Sequence, residues 1–173
     1  TLKDIAKAKA EIIDNILENG NIILNKDDKF FNFLSNQARK KGINVISFSS
    51  KKKADIFLLK TIRIKNYYRL KVIIKKRIFY FDTIYSTSNF INNILACISV
   101  LSVLNLDLSK MKKRFTHFVI PSGRGDIKMV KTFKKRFKFI DESYNANPLS
   151  MSSAIENMDY YKRKNNAKKL VLL

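Results

Sequence analysis

The sequence predicts an α/β fold: a mostly parallel sheet with crossover helices and an antiparallel edge, followed by the start of a Rossmann-like domain. Three patterns predict it. Helical and strand-like apolar patterns alternate up to Phe48, which is typical of βαβ units. Three strand-like runs then follow one another with short polar links, which indicates hairpins. Beyond a Gly/Pro-rich break, short strands again precede an amphipathic helix.

The first part of the chain predicts two helices and two buried strands in alternation. Apolar residues at helical spacing predict helices over residues 2–17 and 29–41, and a glycine follows each of them. Short apolar runs at 22–24 and 43–48 follow the helices and predict strands. Because the second helix links the two strands, they are expected to be parallel neighbours with a crossover connection.

The middle of the chain predicts the antiparallel edge and a long helix. Runs at 56–64, 68–75 and 77–81 predict strands, and the alternating basic residues of the second run mark a solvated face. Ser88 is predicted to be the N-cap of a helix over residues 89–104, whose isoleucines and leucines recur at helical spacing.

A domain boundary is predicted at the Gly/Pro-rich break of residues 121–126. Residues 1–121 are expected to form part of one domain, and residues 122–173 are expected to begin a second domain that the chain does not complete. Ser109 is predicted to cap a short helix that lies before the break.

The last part of the chain predicts two strands, a helix and a further strand. The strands lie at 127–130 and 137–140, the helix covers residues 148–162, and the last strand covers residues 169–173. Pro148 falls in the first turn of the helix, where a missing N–H costs nothing. Because the chain opens in a helix and closes in a strand-like run, we expect it to be a fragment of a larger protein.

The composition is that of a globular protein, with 46% hydrophobic and 28% charged residues. A single cysteine, Cys97, excludes an internal disulfide and favours a reducing compartment such as the cytoplasm. The longest apolar run is broken by Ser99 and Ser102 and is too short for a membrane span. Membrane insertion and a secretory leader are therefore not expected.

The formal net charge of +21 permits two interpretations. Abundant lysine, and the aromatic residues that interleave with Lys and Arg between Tyr67 and Tyr85, favour a nucleic-acid partner. The basic residues are spread along the whole chain, however, and Lys, Asn, Ile, Phe and Tyr all have A/T-rich codons, which favours a compositional origin. A basic α/β nucleic-acid-binding module without catalysis is the alternative function, and it predicts oligonucleotide binding that weakens steeply with salt.

A polar loop precedes the last predicted helix. It begins with Asp141, and its short polar and aromatic side chains include Ser143, Tyr144, Asn145 and Asn147. Open α/β folds bind ligands beyond the carboxyl ends of their strands, where a loop opens onto a helix. The loop is therefore the first candidate for a ligand site.

Lys9 is the unusual residue of the first predicted helix. It lies four residues after Ile5 and four before Ile13, so helical spacing places it on the apolar face. A lysine there either extends its stem to water or becomes a neutral amine, since burial lowers the pKa of an amine. A neutral amine can react with carbon dioxide to form a carbamate, which is a carboxylate that suits Mg²⁺.

Five segments resemble motifs of the Mur ligase family, in the branch that adds D-alanyl-D-alanine. In chain order they are residues 5–12, 25–28, 88–96, 123–125 and 141–148. The first resembles a helix with a carbamylated lysine and the second the Asn-x-Asp-Asp turn. The last, Asp-Glu-Ser-Tyr-Asn-Ala-Asn-Pro, resembles the loop of the D-alanyl-D-alanine-adding type. Ser88 stands where the family usually has His, and Glu142 where many relatives have Asp.

The resemblance implies roles for individual residues. Lys9 matches the lysine that is carbamylated and helps to hold Mg²⁺, and Asn92 matches an asparagine that contacts adenine. Arg124 matches an arginine that reaches an ATP phosphate, and Asp141 matches the acid associated with the ATP ribose. The residues implied to shape a substrate loop are Ser143, Tyr144, Asn145 and Asn147.

The resemblance implies a part of a cytoplasmic ligase of peptidoglycan precursor synthesis that uses ATP and Mg²⁺. Such an enzyme joins D-alanyl-D-alanine to UDP-N-acetylmuramoyl-tripeptide through an acyl phosphate, and is expected to be a monomer without a nucleic-acid partner. Residues 1–121 would belong to its central ATP-binding domain. The family's Gly-x-x-x-x-Gly-Lys-Ser/Thr phosphate loop is missing from the sequence. We therefore expect that loop upstream of Thr1, and expect these 173 residues alone to be inactive.

Overall fold

The computed structural model describes residues 1–133, 135–160 and 168–172. The chain forms two compact units, Thr1–Phe118 and Val119–Leu173, and each is described by itself. The domain boundary between residues 121 and 122 stays a prediction. In the described part of the chain, no helix is long and apolar enough to cross a membrane.

The first unit alternates helices and strands along the chain. Its helices and strands are α1 Leu2–Ala10, β1 Asn21–Asn25, α2 Phe31–Lys40, β2 Asn44–Ser49, β3 Ile56–Ile64, β4 Tyr67–Ile74, β5 Arg77–Thr83 and α3 Ser88–Val103. Short 3₁₀ helices lie at Glu11–Asn15, Leu108–Met111 and Arg114–His117. The predicted crossover through the second helix and the three predicted hairpin strands are therefore present. Apart from the first helix, the ends of these elements differ from the predicted ends by one or two residues at most.

The five strands form one sheet in the order β1-β2-β3-β4-β5. β1 is parallel to β2 and β2 to β3, whereas β4 is antiparallel to both β3 and β5. All strands except β4 therefore point the same way, which confirms the predicted α/β class with a mostly parallel sheet and an antiparallel edge. Phe48 of β2 lies opposite Ile56 of β3, so the carboxyl end of β2 meets the start of the hairpin strands.

Hydrophobic residues on the two faces of the sheet form two separate cores. Successive residues of β1 take part in different cores, because successive strand side chains point to opposite faces. Ile23 packs against the larger core, which contains Leu95 and Ile98 of α3. Ile22 packs against the smaller core, which contains Ile13 and Ala38 of α2. Helices therefore cover the parallel part of the sheet from both sides.

The first helix buries a different face from the one predicted. α1 ends at Ala10 and continues as a 3₁₀ helix, so the α-helix predicted over residues 2–17 is wrong in its last part. A 3₁₀ helix has about 3.0 residues per turn, so apolar residues spaced for an α-helix no longer share one face. Ala6, Ala10 and Ile13 are buried, whereas Ile5 is 53% exposed.

Two predicted caps lie one or two residues from the observed ones. The N-cap of α3 is Thr87, and Ser88 is already the first helical residue. Before the 3₁₀ helix at Leu108–Met111, the Asp107 carboxylate accepts hydrogen bonds from the N–H and the hydroxyl of Ser109, at 3.0 and 2.6 Å. The predictions of Ser88 and Ser109 as caps are therefore wrong. The Asp107 side chain caps the 3₁₀ helix, whereas Thr87 holds the cap position of α3 without a side-chain hydrogen bond.

The second unit contains a hairpin and a helix. Its described elements are β6 Asp126–Thr132, β7 Lys135–Asp141 and α4 Pro148–Tyr160. The two strands are antiparallel, with Asp126 opposite Asp141. Both predicted strands lie within the observed ones, and Pro148 is the first residue of α4, as predicted. Residues 161 and 162 of the predicted helix lie outside the described residues.

The strand predicted over residues 169–173 is wrong for the residues that the structure describes. Residues 168–172 have no strand conformation, and Leu170 and Leu172 are 80% and 85% exposed. A strand needs a neighbour to complete its backbone hydrogen bonds, and in the described part of the second unit β6 and β7 pair only with each other. Leu173 lies outside the described residues.

Candidate functional site

One carboxylate joins the carboxyl ends of β1 and β2. Asp27 accepts hydrogen bonds from the Ser49 hydroxyl at 2.7 Å and from the N–H and hydroxyl of Ser50 at 2.8 and 3.1 Å. Burial alone would raise the pKa of Asp27, but these hydrogen bonds and the charge of Lys51 lower it below its ordinary value of 3.8. The charged side chain fixes the turn at the edge of the sheet where open α/β folds bind ligands.

Ser49 links this turn to a basic loop. Its buried hydroxyl oxygen accepts hydrogen bonds from the N–H groups of Lys51 and Lys52, at 3.0 and 2.6 Å. The ammonium group of Lys26 donates to the carbonyl of Lys53 at 3.0 Å. Three consecutive lysines are therefore held beside the Asn-Lys-Asp-Asp turn, which gives this edge of the sheet a positive charge that attracts anions.

Asn92, the predicted adenine contact, has a buried atom without a partner. It lies half-buried on α3, and its Oδ1 makes no hydrogen bond to any residue that the structure describes. A buried acceptor without a partner is unfavourable. A side-chain amide offers one acceptor and two donors, and the adenine edge offers an amino donor and a ring-nitrogen acceptor. The side chain therefore has the donor and acceptor types that match a purine edge, and its contact with adenine stays a prediction.

Lys9, the predicted carbamate site, is exposed. The expectation that it lies on the buried face of the first helix is wrong, because the small side chains of Ala6 and Ala10 pack inward instead. Lys9 therefore lacks the burial that was the reason to expect a neutral amine. Among the described residues, no group of three or more His, Cys, Asp or Glu is placed to hold a metal ion. The magnesium site stays a prediction.

The hairpin strands contain an ion pair that sequence reasoning missed. Asp82 is 2% exposed and accepts hydrogen bonds from Nε and Nη2 of Arg69, the residue directly opposite, at 2.7 and 3.0 Å. The same Nη2 donates to the Tyr67 hydroxyl at 3.0 Å. Asp82 is the only acidic residue between Asp55 and Asp107, which was a signal in the sequence. The pair fixes the end of the strand that leads into α3.

In the second unit, the Gly-Arg-Gly segment and the polar loop lie side by side. The N–H of Gly125 donates to the carbonyl of Asp141 at 2.7 Å, and the N–H of Tyr144 donates to the carbonyl of Gly123 at 3.0 Å. The guanidinium carbon of Arg124 lies 3.9 Å from the centre of the Tyr144 ring. Gly123 has a φ of +77°, and a Cβ there would lie 3.1 Å from the backbone N of Tyr144, so the contact requires glycine.

Asp141, the predicted ribose contact, is partly engaged within the loop. Its Oδ1 accepts hydrogen bonds from the N–H and the hydroxyl of Ser143, at 3.1 and 2.7 Å. The ammonium group of Lys128 lies 3.9 Å from its Oδ2 and 3.1 Å from Oδ2 of Asp126. Ser143 therefore orients the carboxylate, and the second oxygen keeps capacity to accept a hydrogen bond from a ligand hydroxyl.

Glu142 is the loop carboxylate without an opposite charge to balance it among the described residues. Its burial and the negative charges of Asp141 and Asp126 raise the pKa of Glu142 above its ordinary value of 4.5. The position fits closely against Gly125, where an added Cβ would lie 2.9 Å from Oε1 of Glu142. The second unit therefore holds a carboxyl group that gains a proton more readily than an ordinary glutamate.

Asn147 is the N-cap of α4. Its Oδ1 accepts a hydrogen bond from the N–H of Ser150 at 2.9 Å, with Pro148 at the first helical position. The Ser150 hydroxyl donates to the carbonyls of Asn147 and Asn145 at 2.9 and 3.1 Å. Asn147 thus has a structural role that the sequence reasoning missed, although an asparagine before a proline with serine at the third helical position is a cap signal. Its substrate contact stays a prediction.

The structure brings four of the predicted site residues together in the second unit. They are Arg124, Asp141, Ser143 and Tyr144. Asn145 lies in the same loop with an exposed side chain, and Lys9 and Asn92 belong to the first unit. The second unit therefore holds a guanidinium without an ion-pair partner among the described residues and an oriented carboxylate, and the first unit holds an amide with an unpartnered oxygen.

The chain is similar to known proteins over most of its length. Residues 1–101 match the family model of the Mur ligase middle domain. A curated relative, the UDP-N-acetylmuramoyl-tripeptide--D-alanyl-D-alanine ligase of Rickettsia prowazekii (strain Madrid E), is 28% identical over 159 residues. That match covers 90% of this chain and 34% of the relative, so the chain spans about a third of the relative's length.

Solved structures show the same fold. The crystal structure I of MurF from Acinetobacter baumannii superposes with a TM-score of 0.76 at 22% identity, and covers 91% of this chain and 33% of that one. The MurF ligase of Thermotoga maritima in complex with ADP superposes with a TM-score of 0.72 at 22% identity, and covers 95% of this chain and 36% of that one. The family match extends over more than half of the sequence, and the chain belongs to the Mur ligase family.

Proposed function

We propose that this chain is part of an ATP-dependent ligase that joins D-alanyl-D-alanine to UDP-N-acetylmuramoyl-tripeptide in the synthesis of peptidoglycan precursors. The observation that carries the proposal is the packing of the Asp141–Pro148 loop, which has the sequence of the D-alanyl-D-alanine-adding type, against Gly123–Gly125. The Rickettsia prowazekii relative, which carries the name of that ligase, supports it. The basic nucleic-acid-binding module is not favoured, because it gives no role to this loop.

ATP, when bound, would supply the phosphoryl group that activates the terminal carboxylate of the tripeptide for attack by the amine of the dipeptide. The amide of Asn92 would bind the adenine edge and so satisfy its own buried oxygen. The guanidinium of Arg124 would hold a phosphate oxygen, and Asp141 would accept a hydrogen bond from a ribose hydroxyl. Ser143 would keep the Asp141 carboxylate oriented for that contact. Binding and alignment of two substrates are what this reaction requires of a protein.

Lys9 is proposed as a carbamate that contributes one ligand to Mg²⁺. The described residues offer no further cluster of metal ligands around it, so the proposal rests on the resemblance of residues 5–12 alone. In the full polypeptide of the reading frame, we expect Lys9→Ala to lose activity and added short carboxylates to restore part of it. Lys7→Ala, which removes the same charge from the same helix, is the matched control. Full activity of Lys9→Ala without added carboxylates would show that the reaction does not need a carbamate at Lys9.

We propose that the enzyme is a cytoplasmic monomer that neither inserts into membranes nor binds nucleic acid. We also propose that residues 1–173 alone do not catalyse ligation. The reason for the last point is the missing phosphate loop, without which the phosphates of ATP lack a cradle of backbone N–H groups.

The test is to read the coding sequence on both sides of the chain and to assay the polypeptide that it encodes. A Gly-Lys-Ser/Thr phosphate loop upstream, together with release of phosphate that requires both the tripeptide nucleotide and D-alanyl-D-alanine, would support the proposal. A reading frame limited to these residues would overturn it. Release of phosphate with another amino acid or dipeptide in place of D-alanyl-D-alanine would instead identify a different ligase of the family.

A further inference from the structure

Among the residues that the structure describes, Arg124 has a single side-chain partner. Its guanidinium lies 3.9 Å from the centre of the Tyr144 ring, and no carboxylate among the described residues pairs with it. The N–H groups of the guanidinium therefore remain free to bind an anion from outside the chain. Arg124 is also exposed, so an anion can reach it.

Two carboxylates, one two residues after Arg124 and one in the facing loop, are already engaged. Asp126 accepts a hydrogen bond from the N–H of Gly123 at 2.8 Å and pairs with Lys128 at 3.1 Å. Asp141 accepts hydrogen bonds from Ser143. Because these two acids have other partners and Glu142 forms no ion pair with Arg124, the guanidinium is not neutralised within the loop and keeps its charge available.

The position of the Tyr144 ring is set by the backbone. The N–H of Tyr144 donates to the carbonyl of Gly123 at 3.0 Å, and Gly123 is the residue just before Arg124. The close approach of the two segments depends on the missing Cβ of Gly123, which would lie 3.1 Å from Cβ of Tyr144. The ring therefore lies against the guanidinium because of the backbone pairing, although Tyr144 itself is 66% exposed.

We propose that Tyr144 is a positioning residue for Arg124: its ring face supports the guanidinium plane and directs the N–H groups toward a phosphate oxygen of the nucleotide. This inference rests on the proposed function, since it takes the anion at Arg124 to be a nucleotide phosphate. The aromatic ring carries the interaction and the hydroxyl does not, because a cation is attracted to the face of the ring. Tyr144 thus acts on the nucleotide through Arg124.

The test compares Tyr144→Phe with Tyr144→Leu in the full polypeptide, with the dissociation constants of ADP and of a non-hydrolysable ATP analogue measured by calorimetry. We expect Tyr144→Phe to bind as the wild type does and Tyr144→Leu to bind about threefold more weakly, the size of an exposed cation–π contact. Arg124→Met should weaken binding by about tenfold or more. Adding Tyr144→Leu to Arg124→Met should change nothing further.

Two results would overturn the inference: unchanged nucleotide binding by Tyr144→Leu, or an equal further loss when Tyr144→Leu is added to Arg124→Met.

A second measurement reports on the contact between the Tyr144 ring and the Arg124 guanidinium without nucleotide. The Nε–H resonance of Arg124 should carry a ring-current shift that Tyr144→Phe retains and Tyr144→Leu abolishes, and its absence from the wild type would also overturn the inference. Failure of the proposed function has a different signature, which is a wild-type polypeptide that shows the ring-current shift and binds no nucleotide; the phosphate assignment then falls with it.

Discussion

The hydroxyl of Ser49 donates a hydrogen bond of 2.7 Å to the carboxylate of Asp27, and so ties the turn after β1 to the loop after β2. These two segments are neighbours at the carboxyl edge of a parallel sheet, the edge at which α/β folds bind ligands. Asp27 accepts further hydrogen bonds from Ser50, so a single charged side chain orders both loops. A buried hydroxyl and a charged acceptor make this connection stronger than a turn held by neutral groups alone.

We expect Asp27→Asn to destabilise the chain. The hydrogen bonds to a charged acceptor are weakened, and solvent screening reduces the loss to about 1–2 kcal/mol. Because the folded pKa of Asp27 is lowered below 3.8, its contribution is present at neutral pH and is lost as the pH falls through that folded pKa. Urea unfolding from neutral to acid pH measures both effects, and the difference between variant and wild type should shrink as Asp27 is protonated.

The matched control is Asp28→Asn, which makes the same change of charge in the same turn. Asp28 accepts one exposed hydrogen bond, from the N–H of Phe30 at 2.7 Å. A loss of stability as large in Asp28→Asn as in Asp27→Asn would show that the charge of the turn matters and the contact with Ser49 and Ser50 does not.

Glu142→Gln is expected to stabilise the chain, which is the opposite of the effect expected for Asp27→Asn. The folded pKa of Glu142 is raised by its burial and by Asp141 and Asp126, so the folded state favours the protonated form. The charged form therefore reduces stability at neutral pH, and stability improves as the pH falls through the raised pKa toward the ordinary value of 4.5. A neutral glutamine should unfold at higher urea concentration than the wild type at neutral pH, and the gain should vanish in acid.

Glu156→Gln on α4 is the control for this change, since it removes one negative charge at an exposed position of the same unit. With a net charge of +21, loss of any carboxylate increases repulsion among the basic residues. Glu156→Gln should therefore be neutral or slightly destabilising. Destabilisation by Glu142→Gln at neutral pH would contradict the view that its charge is unfavourable in the folded state.

The predictable part of the fold is the part that local pattern determines. Residues 56–64 were predicted as a strand and form β3 with the same ends, because a run of β-branched and apolar residues bounded by polar turns specifies a strand wherever it packs. The crossover through α2 was predictable for the same reason. The buried face of the first helix was not predictable, since periodicity shows that a helix has an apolar face but does not show whether that face packs against small alanines or larger residues elsewhere.

The site was predictable in its composition and not in its contacts. The polar loop could be identified as a ligand site because its position after a strand and before a helix is visible in the sequence. Its contact with Arg124 joins residues twenty positions apart and depends on the register of the hairpin between them, which the sequence does not state. The prediction that Lys9 is buried is wrong for a related reason. It was inferred from the spacing within one helix, whereas burial is decided by what packs on that helix.

We expect Arg69→Met to destabilise the first unit more than Arg69→Lys does. Methionine leaves the carboxylate of Asp82 buried without a partner, which is costly, whereas lysine retains a charge but loses the two-point contact. Arg63→Met removes the same charge from an exposed position of β3 and is the control. Thermal unfolding of the three variants measures the order, and equal effects of Arg69→Met and Arg63→Met would show that the ion pair contributes nothing beyond net charge.

Asn147→Ala is expected to loosen the start of α4. The side chain caps the N–H of Ser150, and loss of such a cap costs about 1 kcal/mol, or roughly fivefold faster exchange of that amide hydrogen with solvent. Asn145→Ala is the control, because the described hydrogen bond of Asn145 uses its backbone carbonyl and not its side chain. Hydrogen exchange at Ser150 and Met151 makes the measurement local. An unchanged exchange rate at Ser150 in Asn147→Ala would show that the Asn147 side chain does not cap α4.

Asn147→Ser separates the cap from a substrate contact. Serine is an effective N-cap, so it should restore slow exchange at Ser150. If Asn147 acts in the ligase only through α4, Asn147→Ser should also restore the activity that Asn147→Ala loses in the full polypeptide. If the amide itself binds a substrate, slow exchange will return with serine while the KM for that substrate stays raised, because a hydroxyl cannot offer the paired donor and acceptor of an amide. The two readouts together decide between a helix cap and a binding residue.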